Sequence, residues 1–275
     1  MPNWFLFADL QKPDYESFYL PMHVVLKESS TTTKVRAVFD ASAKSSSGFS
    51  LNDTLLVGPT VHSSLVDVLL RFRHHRYALT TDVSKMYRAI KLTQSDRDYH
   101  RFVWRRNRTE SLMDYRMTRL TFGVSASSFA SEHGSKAECH GFRPPIPLSN
   151  LKVYEAFYVD DGLTGADSIT EAIHLQKQLQ ELFHKGGFVL RKWNSNEPEV
   201  LNHLPAELKE SQSVQTIAED HYTKTLGIEW NSVTDNFRIT VAELDHRDVV
   251  TKRMLISDIS KTFDILGWFS QQLSK

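Results

Sequence analysis

The apolar residues of this chain recur with two periods, which predict amphipathic helices and short strands. Helical spacing is found within residues 65–72, 169–183 and 255–266, and the second stretch follows a capping-box pair, Ser168 and Glu171. Runs of β-branched and aromatic residues predict strands instead. They lie at 23–27, 34–39, 77–83, 97–104, 153–159, 188–193, 224–230 and 237–241. The pattern therefore predicts a globular chain of mixed strands and helices.

Other stretches lack a clear period. Residues 1–22 contain three prolines and predict a loosely packed arm, and residues 40–58 are rich in turn formers. Small residues at 124–131 open a predicted helix, where they either let another backbone approach closely or only pack tightly. Residues 197–215 are polar and predict a loop with a short helix. The chain stops at Lys275 inside a helical pattern without a stop signal, which predicts a fragment of something longer.

Composition limits the class of protein. The chain has 275 residues, 40% of them apolar and 24% charged, enough for one large or two modest globular domains. Its longest apolar run, Trp4 to Ala8, is too short for a membrane span or a signal-peptide core. Cys139 is the only cysteine, which excludes an internal disulfide and fits a reducing compartment. We therefore expect a soluble cytoplasmic protein that is neither secreted nor bound to a membrane.

Charge is distributed unevenly, although the formal net charge is zero. Residues 23–108 contain 15 Lys and Arg against 7 Asp and Glu, whereas residues 109–275 contain 17 against 23. A basic part and an acidic part are expected where a protein grips a polyanion beside a metal centre. Chance produces the same asymmetry, so charge alone leaves both explanations open.

Two adjacent carboxylates are the strongest candidates for chemistry. Asp160 and Asp161 follow the apolar run 153–159 and precede Gly162, so they are predicted at or near the tip of a hairpin. Crowded, half-buried carboxylates repel one another and take up protons unless a cation neutralises them, and oxygen ligands suit Mg2+ or Mn2+ better than zinc. An Asp-Gly pair is also an ordinary turn former. The dipeptide alone leaves the turn and the metal site as alternatives.

Further candidates precede this hairpin. Asp82 ends the short predicted strand 77–83, a setting similar to that of the two later aspartates. Lys27, Lys34 and Arg36 lie on a predicted hairpin. They form either a solvated charged face or a clamp on phosphate groups, for which arginine offers a two-pronged donor.

Together these residues resemble the palm of a reverse transcriptase. The set consists of Asp82 at a strand end, Gly123 with small residues after it, and Tyr158-Val159-Asp160-Asp161. A wider set of residues resembles the reverse transcriptases of the BEL/Pao group of LTR retrotransposons. This resemblance covers the chain roughly from Tyr19 to Trp268. It rests on residues 26–27, 34–42, 50–53, 58–59, 157–166 and 186–193.

The resemblance implies an α+β fold, namely a right-hand polymerase with fingers, an antiparallel palm sheet backed by helices, and the start of a thumb. The RNase H, integrase and protease parts of a Pol polyprotein would lie outside this chain. The implied segments are an N-terminal arm at 1–22, fingers at 23–76, palm at 77–94, fingers at 95–118, palm at 119–223, a primer-grip hairpin at 224–245 and a truncated start of thumb or connection at 246–275.

The resemblance also implies RNA-directed DNA polymerase activity with two Mg2+ or Mn2+ ions. Asp82 would bridge both ions, Asp160 would complete the ligand set, and Asp161 would support it from the other side of the turn. One ion would lower the pKa of the primer 3′-hydroxyl, and the other would hold the triphosphate. The implied partners are an RNA or DNA template with its primer and a deoxynucleoside triphosphate (dNTP), within the cytoplasm or a retroelement particle.

Several side chains would bind the incoming nucleotide by the same resemblance. Arg36 would pack on the base and hold the α-phosphate, and Lys27 or Lys34 would reach the γ-phosphate. Tyr87, five residues after Asp82, would meet the 2′-position of the sugar.

Other positions would serve the template, the primer or the leaving group. Gly123 would lie on the template side, next to Phe122, which stands where retroviral enzymes often have glutamine. Lys192 would protonate pyrophosphate. Tyr158 would contact nucleic acid, and Leu226-Gly227 would form the primer grip.

Two departures and two alternatives accompany this interpretation. Lys85 stands where retroviral relatives often have an acid, and residues 127–128 are Ser-Ser in place of a more usual Ser-Pro; neither change removes a metal ligand. A non-catalytic retroelement remnant that binds nucleic acid weakly is the alternative function. A zinc site of His133, Cys139 and His140 is disfavoured because it lacks a four-ligand spacing.

Overall fold

A computed structural model shows an α+β protein, and it describes residues 5–7, 16–26, 34–140, 153, 155–210, 222–239, 251–261 and 264. The predicted fold class is therefore confirmed. The chain forms two compact units, Met1–Val61 with Lys85–Gly141 and His62–Ser84 with Phe142–Lys275. The division into fingers, palm and primer grip stays a prediction beside these units.

Helices and strands alternate along the described residues. The α-helices are α1 (Leu51–Thr54), α2 (Leu65–His74), α3 (Met86–Ala89), α4 (Ser127–His140), α5 (Ile169–Lys185), α6 (Pro198–Leu201) and α7 (Lys252–Lys261). The strands are β1 (Phe5–Phe7), β2 (Met22–Leu26), β3 (Val35–Phe39), β4 (Tyr77–Val83), β5 (Arg101–Trp104), β6 (Met113–Met117), β7 (Phe157–Tyr158), β8 (Asp161–Ala166), β9 (Leu190–Ser195), β10 (Thr223–Thr225), β11 (Ile228–Asn231) and β12 (Asn236–Arg238). None of the described helices has the length and apolar character needed to cross a bilayer.

The first unit contains a three-stranded sheet in the order β1-β6-β5 and the β2–β3 hairpin, which is antiparallel as predicted. Its core is an apolar cluster that brings together strand, helix and loop residues. The buried members are Leu20, Phe39, Ala41, Leu51, Tyr87, Leu92, Phe102, Tyr115, Met117, Leu120 and Val124.

The second unit is built on an antiparallel sheet in the order β7-β8-β4-β9. On one face, Val68, Leu69 and Phe72 of α2 pack against Ala78 of β4 and Leu163 of β8. On the other face lies α5, whose Phe183 ring is 4.7 Å from that of Phe157. Because both faces are covered, β4 is buried along almost its whole length rather than at alternate positions.

Two serines start the helices that cover this sheet. The Ser64 side chain accepts a hydrogen bond from the backbone of Asp67, and that of Ser168 accepts one from Glu171, as the sequence predicted for α5. A second, three-stranded sheet of β10, β11 and β12 packs on α2, because Ile228 and Trp230 join the same apolar cluster.

The structure corrects five local predictions. The predicted strand 224–230 is interrupted, because Leu226 and Gly227 form a turn between β10 and β11. The predicted irregular arm contains β1, which pairs with β6, and the buried residue Leu20. Residues 97–100 form a 3-10 turn before β5 rather than the start of a strand. Val153, Glu155 and Ala156 are helical, so the strand that precedes the aspartates is only Phe157–Tyr158. The predicted strand 188–193 is shifted to Leu190–Ser195 because Phe188 is used to close the end of α5.

Candidate active site

The candidate site is built on the pairing of β4 with β8. Asp82 is the register partner of Asp161, and directly opposed residues of antiparallel strands project from the same face of the sheet. Asp160 lies in the tight turn between β7 and β8, and its carbonyl oxygen accepts a hydrogen bond of 2.7 Å from the Val83 amide. The sequence prediction that the two aspartates lie at a hairpin tip is therefore confirmed, and the fold adds Asp82 beside them.

The turn that carries the aspartates is strained and sterically confined. Val159 has a φ of +56°, a left-handed conformation that costs a β-branched residue on the order of 1–2 kcal/mol. Gly162 has no room for a side chain, since a Cβ atom there would lie 2.7 Å from two ring carbons of Phe157 and 2.8 Å from Thr81 Cγ2. Strain of this kind persists where the surrounding packing fixes it and is typical of functional sites.

Burial and neighbouring carboxylates raise the pKa values of Asp160 and Asp161. Burial, followed by the charges of Asp160 and Asp82, raises the pKa of Asp161 to about 7. Burial and the charge of Asp82 also raise the pKa of Asp160. Since both shifts have desolvation as their first cause and a like charge as another, the site favours an added positive charge.

Lys192 supplies a positive charge from β9. Its Nζ donates to Asp82 Oδ2 at 2.9 Å. Burial lowers the pKa of Lys192, but the pairing with Asp82, with contributions from Glu210 and Asp161, raises it overall. The ammonium group is therefore held in its charged form at the edge of the carboxylate cluster.

A β-bulge places Lys192 there. Asp82 pairs with Arg191 and Thr80 with Asn194, so two residues of β9 oppose the single Thr81. In a regular strand, the residue after Arg191 would project from the face away from Asp82. Lys192 instead has a φ of +54° and reaches the carboxylate, so the bulge re-aims the side chain.

The turn between β10 and β11 also reaches the cluster. The Leu226 backbone amide donates a hydrogen bond to the Asp161 carboxylate, which lowers the pKa of that carboxyl against the larger effect of burial. Leu226 and Gly227 have φ angles of +49° and +82°. The predicted primer-grip dipeptide is thus a left-handed turn whose backbone touches one of the candidate catalytic aspartates.

Tyr158 precedes these aspartates, and its ring contacts that of a histidine at a tilted angle. Its ring centroid lies 4.3 Å from that of His62, which comes just before α2. Arg71 of α2 donates to the backbone oxygen of Glu155 at 3.3 Å, so the helix also fixes the chain before β7. Neither contact could be predicted from local patterns, because both join residues more than 80 positions apart.

The donor chemistry fits a divalent metal ion of the Mg2+ or Mn2+ type. Three carboxylates converge, and two of them have raised pKa values that an added cation would lower. Within the described part of the chain, no three His, Cys, Asp or Glu side chains stand close enough to ligate an ion as they are oriented.

The remaining candidates lie in the first unit. The Tyr87 hydroxyl is 2.9 Å from Ser128 Oγ, and the Tyr87 ring lies 4.5 Å from that of Phe122, which is 55% exposed. Tyr87 itself is buried, with 9% of its surface exposed. Gly123 has a φ of +94°, and a Cβ atom there would collide with the carbonyl oxygen of Phe39.

Asn52 fixes the loop that contains Gly123. Its amide nitrogen donates to the Gly123 carbonyl at 3.0 Å, and its amide oxygen accepts from the Ser125 amide at 2.8 Å. Asn52 was part of the family resemblance but had no predicted role. Its position follows from the capping box of Ser50 and Asp53, a pattern that the sequence displays and that predicts a helix start.

The basic candidates are placed only in part. Lys34 and Arg36 are exposed at the start of β3, where Arg36 pairs in register with Val25. Lys27 lies outside the described residues. The side chains of the disfavoured zinc set, His133, Cys139 and His140, lie outside them as well.

The structure thus gathers Asp82, Asp160, Asp161, Lys192 and the Leu226-Gly227 turn in the second unit. The predicted nucleotide-binding residues belong to the first unit. Sequence reasoning missed the bulge at Lys192 and the left-handed Val159, since neither residue type signals such a backbone.

The chain matches known proteins in its three-dimensional structure. No protein-family model matches the sequence, and no curated protein matches it either. Among solved structures, a foamy viral protease-reverse transcriptase in complex with dsDNA matches with a TM-score of 0.58 and 16% identity over 94% of this chain and 44% of that one.

Two further structures of the foamy viral protein agree. Its dRH form with dsDNA matches with a TM-score of 0.57 and 17% identity over 93% of this chain and 36% of that one. Its complex with an RNA/DNA hybrid matches with a TM-score of 0.53 and 15% identity over 84% and 24%. This chain therefore spans less than half of each of those chains. It has a retroviral-type reverse-transcriptase fold.

Proposed function

We propose that this chain is the polymerase part of a reverse transcriptase, an RNA-directed DNA polymerase of the BEL/Pao retrotransposon type, which extends a primer by nucleotidyl transfer. The observation that carries the proposal is the opposition of Asp82 and Asp161 across β4 and β8, with Asp160 in the adjoining turn. The fold shared with foamy viral protease-reverse transcriptase supports it. The BEL/Pao assignment rests on the sequence resemblance alone.

In this proposal Asp82 and Asp160 would hold two Mg2+ or Mn2+ ions, with Asp161 in support. When bound, the ions would activate the primer 3′-hydroxyl and neutralise the charge of the triphosphate. Asp161 is held by the Leu226 amide and by its register with Asp82, so it would keep the carboxylates aligned. Because such a reaction depends on alignment and charge neutralisation, small displacements of these groups would lower the rate strongly.

Lys192 would act on the leaving group. Its ammonium lies at the edge of the carboxylate cluster and is half exposed, so it could donate a proton to pyrophosphate that leaves from the same place. Its charged state is secured by the acids around it.

Nucleic acid is the proposed partner. The foamy viral structures contain an RNA/DNA hybrid or dsDNA, and the basic excess of residues 23–108 would suit a phosphate backbone. Tyr158 and the Leu226-Gly227 turn would contact the primer. RNase H, integrase and protease would be separate parts of the same polyprotein, acting in the cytoplasm or in a retroelement particle.

The incoming dNTP would be bound by residues of the first unit. Arg36 with Lys34 or Lys27 would hold its phosphates, and Gly123 with Phe122 would line the template side. Asn52 would keep that loop in place through its two backbone hydrogen bonds.

Primer extension with Mg2+ on RNA and DNA templates tests this proposal. We expect Asp82→Asn and Asp160→Asn to abolish incorporation, since each removes a negative charge without changing shape, and Asp67→Asn on the exposed start of α2 to retain it. Retention of activity within about tenfold, a barrier change below roughly 1.4 kcal/mol, would refute the metal assignment. A wild-type protein that binds an RNA/DNA hybrid but never extends the primer would instead be a non-catalytic remnant.

A further inference from the structure

We propose that Lys192 is a built-in cation that occupies Asp82 whenever no divalent ion is bound, so that metal binding and the release of Lys192 are one coupled event. The inference rests on the proposed function, because it concerns the same carboxylates. It goes beyond a role in protonating the leaving group, since it gives Lys192 a task before any substrate arrives.

The first argument is the position of the ammonium group. Lys192 Nζ lies 2.9 Å from Asp82 Oδ2, the distance of a charge-assisted hydrogen bond, and thus occupies a carboxylate oxygen that a metal ion would need. Within the described part of the chain no ready-made set of metal ligands exists. An ion can therefore use Asp82 fully only after the ammonium has moved.

The second argument is that the backbone is arranged to make this contact. Lys192 lies in the β-bulge opposite Thr81 and has a left-handed φ of +54°, which is unfavourable for lysine. A regular β9 would send this side chain to the other face of the sheet. The strained backbone thus directs a cation to Asp82. Bulges beside functional sites commonly redirect a side chain in this way.

The third argument is exposure, which makes the exchange easy. The Lys192 side chain is 50% exposed and that of Asp82 is 23% exposed, so the pair is open to water. An ion pair this exposed contributes little and is readily displaced by a doubly charged ion. Lys192 then becomes available to the leaving group only in the metal-loaded enzyme.

Mn2+ binding, measured by the loss of the aquo-ion EPR signal, tests the competition without any turnover. We expect Lys192→Met to bind Mn2+ about three- to tenfold more tightly than wild type, which corresponds to removal of a competitor worth about 1 kcal/mol. Lys177→Met, which removes an exposed charge from α5 in the same unit, should stay within about twofold of wild type. Asp82→Asn removes a proposed ligand, so the Mn2+ binding that this variant loses is the binding at this site.

The outcomes separate the two proposals. If the wild type binds Mn2+, Asp82→Asn does not, and Lys192→Met binds no more tightly than wild type, the competition is refuted while the metal site stands. If Asp82→Asn binds as much Mn2+ as the wild type, or if neither binds any, the metal site and this inference both fail. Removal of a positive charge also weakens the electrostatic repulsion of the ion, so the release of Lys192 itself has to be measured on the native protein.

A second measurement needs no substitution at Lys192. Acetylation of the native protein followed by peptide mass spectrometry reports how accessible each lysine is. We expect the rate at Lys192 to rise at least threefold when Mg2+ is added, because its partner is taken away, while the rate at Lys177 stays the same. Equal rates at Lys192 with and without Mg2+ would refute the coupled exchange.

Discussion

Asp82 and Asp161 oppose each other across β4 and β8, so their carboxylates project from one face of the sheet, where β4 ends and β8 begins. Asp160 directly precedes Asp161 in the turn between β7 and β8. Three acids at one point are costly for a folded chain, and the cost is expressed in the raised pKa values of Asp160 and Asp161. The arrangement is therefore most stable when a proton or a cation is present, and this has measurable consequences.

The metal-free protein should lose stability as the pH rises. The folded-state pKa of Asp161 is about 7, whereas that of an unfolded aspartate is about 3.9. Between these values the folded state holds a proton that the unfolded state has released, so the free energy of unfolding falls from about pH 4 to about pH 7 and is flat above. We expect this to amount to a few kcal/mol.

Urea unfolding in EDTA at pH 5 and pH 8 measures the difference. Asp161→Asn should remove most of it, because the amide does not titrate. Asp67→Asn, at an exposed position of α2, should leave it in place. An equal pH dependence in wild type and Asp161→Asn would contradict the assignment of the shift to Asp161.

Local sequence patterns predicted several elements of this site, whereas its strand register and its bulge depend on long-range packing. The strand Tyr77–Val83 is defined by its own sequence, and Ser168 marks the start of α5. The register that sets Asp82 against Asp161 depends on pairing across 79 positions, which no local pattern fixes. The bulge at Lys192 is still less predictable, because it depends on how β9 meets Thr81.

Gly162→Ala should destabilise the protein by about 1–3 kcal/mol. The new methyl group would lie 2.7 Å from ring carbons of Phe157 and 2.8 Å from Thr81, both of which are buried and cannot give way. Gly134→Ala in α4 is the matched control. Its methyl group meets only the flexible end of Ile90, and alanine favours a helix, so the free energy of unfolding should change by less than about 1 kcal/mol.

Denaturant unfolding of the two alanine variants, side by side, checks this contrast. If Gly162→Ala is as stable as Gly134→Ala, the start of β8, directly after the aspartates, is less confined than the structure indicates. Primer extension by the Gly162 variant should fall as well, because the carboxylates move with the turn.

Asp235, in the turn between β11 and β12, should be the main fixing point of the β11–β12 hairpin, which belongs to the same three-stranded sheet as the Leu226-Gly227 turn. Its Oδ1 accepts from Arg73 Nη1 at 2.6 Å and from the Trp230 indole at 3.0 Å, and Trp230 is fully buried. Asp235→Ala leaves the indole N–H unpaired and should cost about 1–3 kcal/mol. Asp235→Asn keeps an acceptor for the indole, and asparagine suits the left-handed φ of +53°. Its free energy of unfolding should therefore fall by less than half as much as that of Asp235→Ala.

Urea midpoints of the wild type and the two Asp235 variants test this. If both variants lose the same amount, the charge pair with Arg73 dominates and the indole bond contributes little. If neither loses stability, Asp235 does not fix the hairpin.

Tyr87 offers the sharpest test of how the first unit would select its substrate. Its ring is covered by the exposed Phe122, and its hydroxyl meets Ser128, so the side chain is held rigidly. Under the proposed function, the ring would exclude a ribose 2′-hydroxyl by volume. Tyr87→Ala should then raise the use of ribonucleotides relative to deoxynucleotides by about tenfold or more, because it removes a clash with one substrate and only a contact with the other.

The competing explanation is that Tyr87 only fills the core, where loss of a large aromatic side chain costs about 3–5 kcal/mol. Under that explanation Tyr87→Ala would lower incorporation of both nucleotides alike. Tyr87→Phe separates the ring from the hydroxyl: it gives up the bond to Ser128, keeps the volume, and should leave the selectivity ratio unchanged. Single-nucleotide incorporation with matched dNTP and rNTP, on variants shown to be folded by circular dichroism, decides between them. An unchanged ratio in Tyr87→Ala would remove Tyr87 from the nucleotide site, and with it the alignment that places Asp82 five residues earlier at the metal centre.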